Sequence, residues 1–251
     1  AGRLGDLDYQ LFYGEVSFPE DSGHARGNLL TSQRVARSKG LGLVTDIDFN
    51  NRYVYGGALV LNTVVQGLRV GASFFEGKTD FDIELDRRLD SETGETVFTP
   101  TMGTGEGHND DFYVFSLEYS RPNLLLAAEY SEYSNNRKYF GVELPGGRSQ
   151  AWYVQLSYRL LDRLTFSVLY DEYWADKNDR RGQTFVAQKQ PDFLGWRKDF
   201  GVGLRYDITD NWLIKAEWHD VDGAGLGLPV YNPQGVKEEW SYYVLKTYFF
   251  F

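Results

Sequence analysis

The side chains able to activate water are few in this 251-residue chain, and they are unevenly placed. His219, Asp220 and Asp222 close one patterned segment, while Asp110 and Asp111 open another. A histidine and carboxylates gathered around a water would serve general-base hydrolysis. His219 and Asp220 are adjacent, however, and adjacent strand residues point to opposite faces, so they form a dyad only where the strand has ended. His24 and His108 lie outside any regular pattern, which leaves no Ser and His pair for a nucleophilic hydrolase. Asp80, Asp82 and Glu84, or Asp207 and Asp210, lack the ligand spacing of a closed calcium loop. The chain has no Cys, so disulfides and thiolate metal sites are excluded. The Gly-rich runs at 103–107 and 223–227 read as loops, because neither follows a strand and opens a helix as a nucleotide cradle would. The residues imply no cofactor.

A second set of polar residues is regular. Arg69, Glu118, Glu129, Gln155, Arg159, Asp171, Arg205, Lys215, Glu217 and Lys246 stand between apolar residues at alternate positions, with Arg163 close by. Alternation with a period of two places successive side chains on opposite faces of a strand. One face of the first segment carries Leu7, Tyr9, Leu11 and Tyr13. Four hairpins follow: Tyr53, Tyr55, Leu59 and Leu61 with Leu68, Val70, Ala72 and Phe74; Tyr113 to Tyr119 with Leu124 to Tyr130; Trp152 to Tyr158 with Leu164 to Tyr170; and Phe200 to Tyr206 with Trp212 to Trp218. A last strand carries Tyr243, Leu245, Thr247, Phe249 and Phe251 on one face. Arg205, Lys215 and Lys246 fall on three consecutive strands, where they form either a basic ladder that attracts anions or a wall network offset by Glu217 and its neighbours.

The connections alternate in length. Short turns near Gln66, Asn123, Asp162 and Asp210 interleave with long polar stretches at about 19–52, 78–111, 132–150, 173–198 and 219–239. Tight turns on one side and long loops on the other are the asymmetry of an outer-membrane barrel, with the short ones periplasmic and the long ones extracellular. Composition agrees. Apolar residues make up 42% and aromatics 16%, with 18 Tyr, 17 Phe and 6 Trp, rings that favour the boundary between an apolar wall and water. No run approaches the roughly 18 apolar residues of a spanning helix, so a membrane would be crossed by strands. A net charge of −10 argues against a general nucleic-acid binder. The expectation is a single domain over 1–251, all-β, an antiparallel transmembrane β-barrel of about ten strands. The count rises to about twelve if Leu41 to Phe49 pairs with Leu30 to Ala36, but that segment is assigned here to a structured loop. No signal peptide is visible at Ala1, and the chain reads as processed or truncated.

The terminal Phe251, with Phe249, Leu245 and Tyr243 at alternate positions behind it, resembles the strand by which outer-membrane barrels are recognised by the barrel-assembly machinery. The segments GDLDYQLFYG (5–14), YGGALVLNTVVQGLRVGASF (55–74) and FGVGLRYDITDNWLIKAEWHDVDG (200–223) are similar to strand–turn–strand pieces of Gram-negative porins related to the phosphate-selective group. The resemblance touches about half the chain. It implies a wall of about sixteen strands of which this chain lacks the earlier ones, and a homotrimer or larger envelope assembly. It also implies a bacterial outer-membrane location among lipids and passive passage of small polar or anionic solutes, with no reaction. In such a relative, cations on an inward-folded loop would be expected, and Arg34, Arg37 and Lys39 are placed to serve, or to form a solvated loop face. The His219 and Asp110–Asp111 set looks similar to the site of omptin-type proteases, the enzymatic alternative; the third alternative is a structural barrel plugged by its loops.

Overall fold

The structure, a computed structural model, describes residues 5–15, 19, 22–90, 96–144, 147–227, 232 and 234–250. Its elements are β1 (Gly5–Gly14), α1 (Gly23–Ser38), β2 (Leu43–Thr63), β3 (Leu68–Asp90), β4 (Thr96–Arg121), β5 (Leu124–Tyr139), β6 (Val142–Leu144), β7 (Arg148–Leu161) and β8 (Leu164–Trp174). They continue with α2 (Gln183–Ala187), a 3-10 turn (Asp192–Gly195), β9 (Trp196–Thr209), β10 (Trp212–Asp222) and β11 (Glu239–Phe249). The strands form one antiparallel sheet in the order β1-β2-β3-β4-β5-β7-β8-β9-β10-β11, with β6 folded back on β5. Ten strands therefore make the wall, and each pairs with its sequence neighbour as in an up-and-down outer-membrane barrel.

The short turns sit at one end. Arg121 pairs with Leu124, Leu161 with Leu164 and Thr209 with Trp212, leaving two-residue links at Pro122–Asn123, Asp162–Arg163 and Asp210–Asn211. The β2–β3 turn closes at Gly67, whose φ of +79° only a residue without Cβ adopts freely. Arg163 belongs to such a link, where its guanidinium donates to the Ile208 carbonyl (2.8 Å), and not to a strand face.

Register separates two faces. On one lie Leu59 and Leu61, Phe74, Phe115 and Leu117, Val154 and Leu156, Phe166, and Leu204 and Tyr206, many of them more than a third exposed. On the other lie the alternate residues, most of them polar or small, with Phe75, Phe112, Leu125 and Leu169 among the exceptions. An exposed apolar face this extended needs a non-aqueous neighbour.

At the long-connection end β2, β3, β4 and β5 run well beyond the wall, and there the pattern inverts. Phe81, Ile83 and Leu85 of β3 continue the face of Arg69, Gly71 and Ser73, yet they are buried against Val44 and Ile47 of β2, Tyr139 of β5, and Val35 and Ala36 of α1. The opposite face, apolar below, carries Asp80, Asp82 and Glu84. A register shift between Asn51 and Tyr53 lets β2 follow: Phe49 and Ile47 keep the odd numbering of Tyr53 and Tyr55 but pair with Phe81 and Ile83 on the other face. Gly105 of β4 lies directly under the Phe81 ring, where an added Cβ would collide.

Helix α1 closes this small core. The Ser22 hydroxyl caps it by accepting the Ala25 N–H (3.1 Å). Gly40, at φ +67°, ends it in a Schellman motif, with the N–H of Leu41 on the Ala36 carbonyl (2.9 Å). Ala25, Asn28, Ser32, Val35 and Ala36 form the buried stripe, and the Tyr139 hydroxyl donates to Asn28 Oδ1 (2.6 Å). Burial holds the Tyr139 phenol above its ordinary pKa.

Three expectations change here. Leu41 to Phe49 is not a loop segment: from Leu43 it is the first third of β2. Residues 78–90 and 96–111 are not polar loop but the extensions of β3 and β4, so the run at 103–107 is strand. Leu30 to Ala36 is helix, not a strand partner. In each case acidic or basic residues on the watered face concealed an apolar stripe on the other.

Candidate solute path on the polar face of the sheet

The ten polar positions singled out from sequence all fall on one face. Near the short turns, Lys215 lies directly opposite both Arg205 and Lys246, and Arg205 opposite Thr165, which faces Arg159. Four cations thus occupy one row across β7 to β11. Carboxylates flank the row: Arg205 Nε binds Asp207 (2.7 Å), and Lys215 and Lys246 each reach Glu217 (3.4 Å). The row is basic and also partly neutralised. A concavity of about 320 Å³ adjoins it, lined among others by Arg159, Arg205, Lys215, Ser157, Thr165 and Ser167. On the far side of the sheet Arg69 pairs with Glu118 across β3 and β4 (3.7 Å).

The middle of the face is paved with small side chains: Gly71, Ser73, Ser116, Ala127, Ser131, Ser157, Ser167 and Gly203. They keep bulk out of the space in front of the sheet. Above them lies a concavity of about 410 Å³ whose lining includes Glu129, Tyr153, Gln155, Asp171, Tyr173 and Arg197, with Leu226 from the β10–β11 connection. That connection is held over the sheet by the N–H of Gly225 on the Trp196 carbonyl (2.7 Å) and of Ala224 on the Phe193 carbonyl (2.8 Å).

Beside this concavity is a buried charge network that the sequence reading missed. Asp199, 1% exposed at its side chain, binds the Arg197 guanidinium, His219 Nδ1 (2.7 Å) and the Tyr242 hydroxyl (3.0 Å). Arg197 also reaches Asp171 (3.6 Å), and the His219 ring stacks on Tyr242 at 4.4 Å. Gly201 leaves room for the imidazole, because a Cβ there would sit 2.7 Å from His219 Cε1. The signal was available: Arg197 and Asp199 continue the odd-numbered polar positions of β9 beyond Phe200, where the sequence reading began the strand.

The His219 and Asp220 dyad of the hydrolytic alternative is not formed. His219 is buried and bonded to Asp199, Asp220 is exposed on the other face, and Asp222 is engaged by Lys198 (2.9 Å) and Trp196 Nε1 (3.3 Å). Asp110 and Asp111 belong to β4, separated from β10 by β5, β7, β8 and β9. Their side chains lie outside the described residues. Arg34, Arg37 and Lys39 sit on or at the end of α1, exposed. At the end of the sheet, Tyr243 and Leu245 are 80% and 77% exposed on the apolar side, and Phe249 stacks on Trp212 (4.9 Å); Phe251 lies outside the described residues.

No family model matches the sequence, and no curated protein matches it. Solved structures of similar backbone course include a NanC porin at 16% identity and TM-score 0.38, covering 82% of this chain and 97% of the other. They include OmpT, an outer membrane protein of Vibrio cholerae, at 16% identity and TM-score 0.45 over 82% of this chain and 62% of that one. The CymD monoaromatic hydrocarbon channel matches at 10% identity and TM-score 0.43 over 96% of this chain. The chain spans 65% of that channel, so less than two thirds of both it and OmpT.

Proposed function

We propose that the chain is the wall of a bacterial outer-membrane channel through which small polar solutes diffuse without chemical change. The observation that carries this reading is the separation of the sheet into an exposed apolar, ring-rich face and a face of small residues and paired charges. Hydrocarbon suits the first and water the second. The short turns then lie in the periplasm and the extended β2–β5 region outside the cell.

A membrane wall cannot leave strand edges unpaired, because hydrocarbon offers no hydrogen-bond partner. β1 and β11 run antiparallel at the two ends of the ten-strand order, so closure takes place either by pairing them directly or by inserting an even number of strands. Direct closure gives a narrow interior, and added strands widen it. The row of Arg159, Arg205, Lys215 and Lys246 outnumbers its flanking carboxylates Asp207 and Glu217, which supports a mild preference for anions. Tyr243, Leu245, Phe249 and Phe251 serve recognition by the barrel-assembly machinery, and assembly as a homotrimer is part of the same proposal. No step requires a cofactor.

The test is conductance of the refolded protein in planar bilayers. Stepwise, ohmic currents are expected, with a reversal potential in a potassium chloride gradient that favours chloride and shifts toward potassium on Lys215→Glu. A folded, inserted protein that leaves the bilayer as insulating as before would overturn the proposal.

A further inference from the structure

One charged cluster lies on the wrong side of the wall for a solute path. Glu132 of β5 belongs to the face of Leu126 and Tyr130, yet its side chain is only 5% exposed. Lys177 binds it at 2.7 Å and Arg148 at 3.6 Å, the Tyr130 hydroxyl donates to it, and Gln150 Nε2 lies at 3.5 Å. Gln150 Oε1 in turn accepts from Arg180 Nη2 (2.7 Å), and that guanidinium covers the Trp174 ring at 4.2 Å. Three cations are thus held in place around one buried carboxylate. Other acids at this end keep their charge and accept hydrogen bonds of their own, Glu172 from the Tyr170 hydroxyl (2.7 Å), Asp176 from the Asn178 N–H (2.9 Å), and Asp179 from the N–H groups of Gln183 and Thr184 (2.9 and 2.7 Å). Among the described residues none of them is ion-paired with Lys177 or Arg180.

Below this cluster on the same face come the rings Trp152 and Tyr170, 5.6 Å apart, and then exposed Val154, Leu156 and Phe166. The order along the strands is cation, aromatic ring, aliphatic. It mirrors the order of a lipid from phosphate through interface to acyl chain. We infer that Arg148, Lys177 and Arg180 form a site for the phosphorylated headgroup of an anionic outer-leaflet lipid, whose chains lie along β7 and β8. The inference rests on the membrane orientation proposed above but not on transport. Glu132 keeps the two cations that touch it from folding away, and Gln150 and Trp174 fix the third. Arg can then grip the phosphate with two parallel hydrogen bonds while Lys acts as a point charge.

The experiment titrates the refolded protein in dodecyl maltoside with bis-phosphorylated lipid A, with its dephosphorylated form, and with inorganic phosphate, and reads bound lipid by native mass spectrometry. The wild type should retain the phosphorylated lipid selectively, and excess inorganic phosphate should not displace it. Lys177→Gln and Arg180→Gln should each weaken that binding about fivefold, in keeping with about 1 kcal/mol per cation near an anionic surface. Arg180→Gln leaves the Glu132 contacts intact, so it guards against a variant that fails to fold. Equal retention of both lipids, variants without effect, or displacement by inorganic phosphate would each overturn the site. Bilayer conductance of the same samples separates the two proposals: conduction without lipid selectivity refutes this one alone, and lipid selectivity without conduction refutes transport alone.

Discussion

Strand β3 passes through two environments without changing its partners. From Leu68 to Phe74 its even-numbered residues are apolar, Ala72 and Phe74 exposed and Leu68 and Val70 half-buried, while Arg69, Gly71 and Ser73 face the polar side. From Asp80 to Glu84 the even-numbered residues are acidic, and Phe81, Ile83 and Leu85 are buried beneath α1. β3 keeps the same two neighbours in both halves, with a register shift in each pairing between them, so the difference lies in what surrounds each face. In the membrane orientation proposed above, the lower half meets hydrocarbon outside and water inside. In the upper half water lies outside, and the chain supplies its own apolar cover from a helix. In that orientation the level of the inversion, near Glu76 to Lys78, is the expected outer boundary of the membrane.

Substitutions on the two sides of that level should behave differently. The largest effect is expected from Phe81→Ala, which empties the centre of the upper core and costs about 4 kcal/mol of its stability. Hydrogen exchange should show α1 and the β3–β4 extension losing protection while the wall keeps its own. Next comes Leu204→Arg on the exposed apolar face of β9, expected to destabilise the inserted protein by about 3 kcal/mol in bilayer unfolding titrations. The same change at Asp82, on the matching face above the inversion, should cost no more than about 0.5 kcal/mol. If the two Arg substitutions cost the same, the faces do not meet different solvents. Ser22→Ala removes the cap of α1 and should cost about 1 kcal/mol, again confined to the upper region.

The smallest effect is a pH response outside the wall. The backbone N–H of Thr184, its side chain and the N–H of Gln183 hold the Asp179 carboxyl below its usual pKa. The stabilisation is therefore present above the unfolded-state pKa and is lost as pH falls through the lower folded value. Exchange at the amides of Gln183 and Thr184, corrected for intrinsic rates, should lose protection at acid pH below roughly 4. Asp179→Asn should flatten that dependence.

The same contrast explains what the sequence made legible. In the wall each face meets one medium along the whole strand, so alternation from Leu7 to Phe249 reads directly, and the short turns at Asn123, Asp162 and Asp210 fall where expected. Above the wall the apolar residues Ile47, Phe81, Ile83 and Leu85 are separated by Asp and Glu and resemble polar loop. Helix α1, with two glycines in sixteen residues and no acidic residue in its first turn, gives a weak helical signal; only Ser22 and the buried stripe identify it. The polar positions of the candidate path were legible by parity alone. Parity also places Asp199 on that face, but its partners His219 and Tyr242 were not legible, because cross-strand register is set by pairings that a single sequence does not display.

The absence of native cysteine makes the most direct measurement a cysteine scan of β3 from Leu68 to Leu85 in lipid vesicles, with a membrane-impermeant maleimide against quenching by brominated lipid. Positions 69, 71 and 73 should label while 70, 72 and 74 are quenched. Labelling should reverse above Lys78, with 80, 82 and 84 reactive and 81, 83 and 85 protected by the helix. Equal labelling of neighbouring positions between 69 and 74, with no lipid quenching on either face, would overturn the two-faced wall.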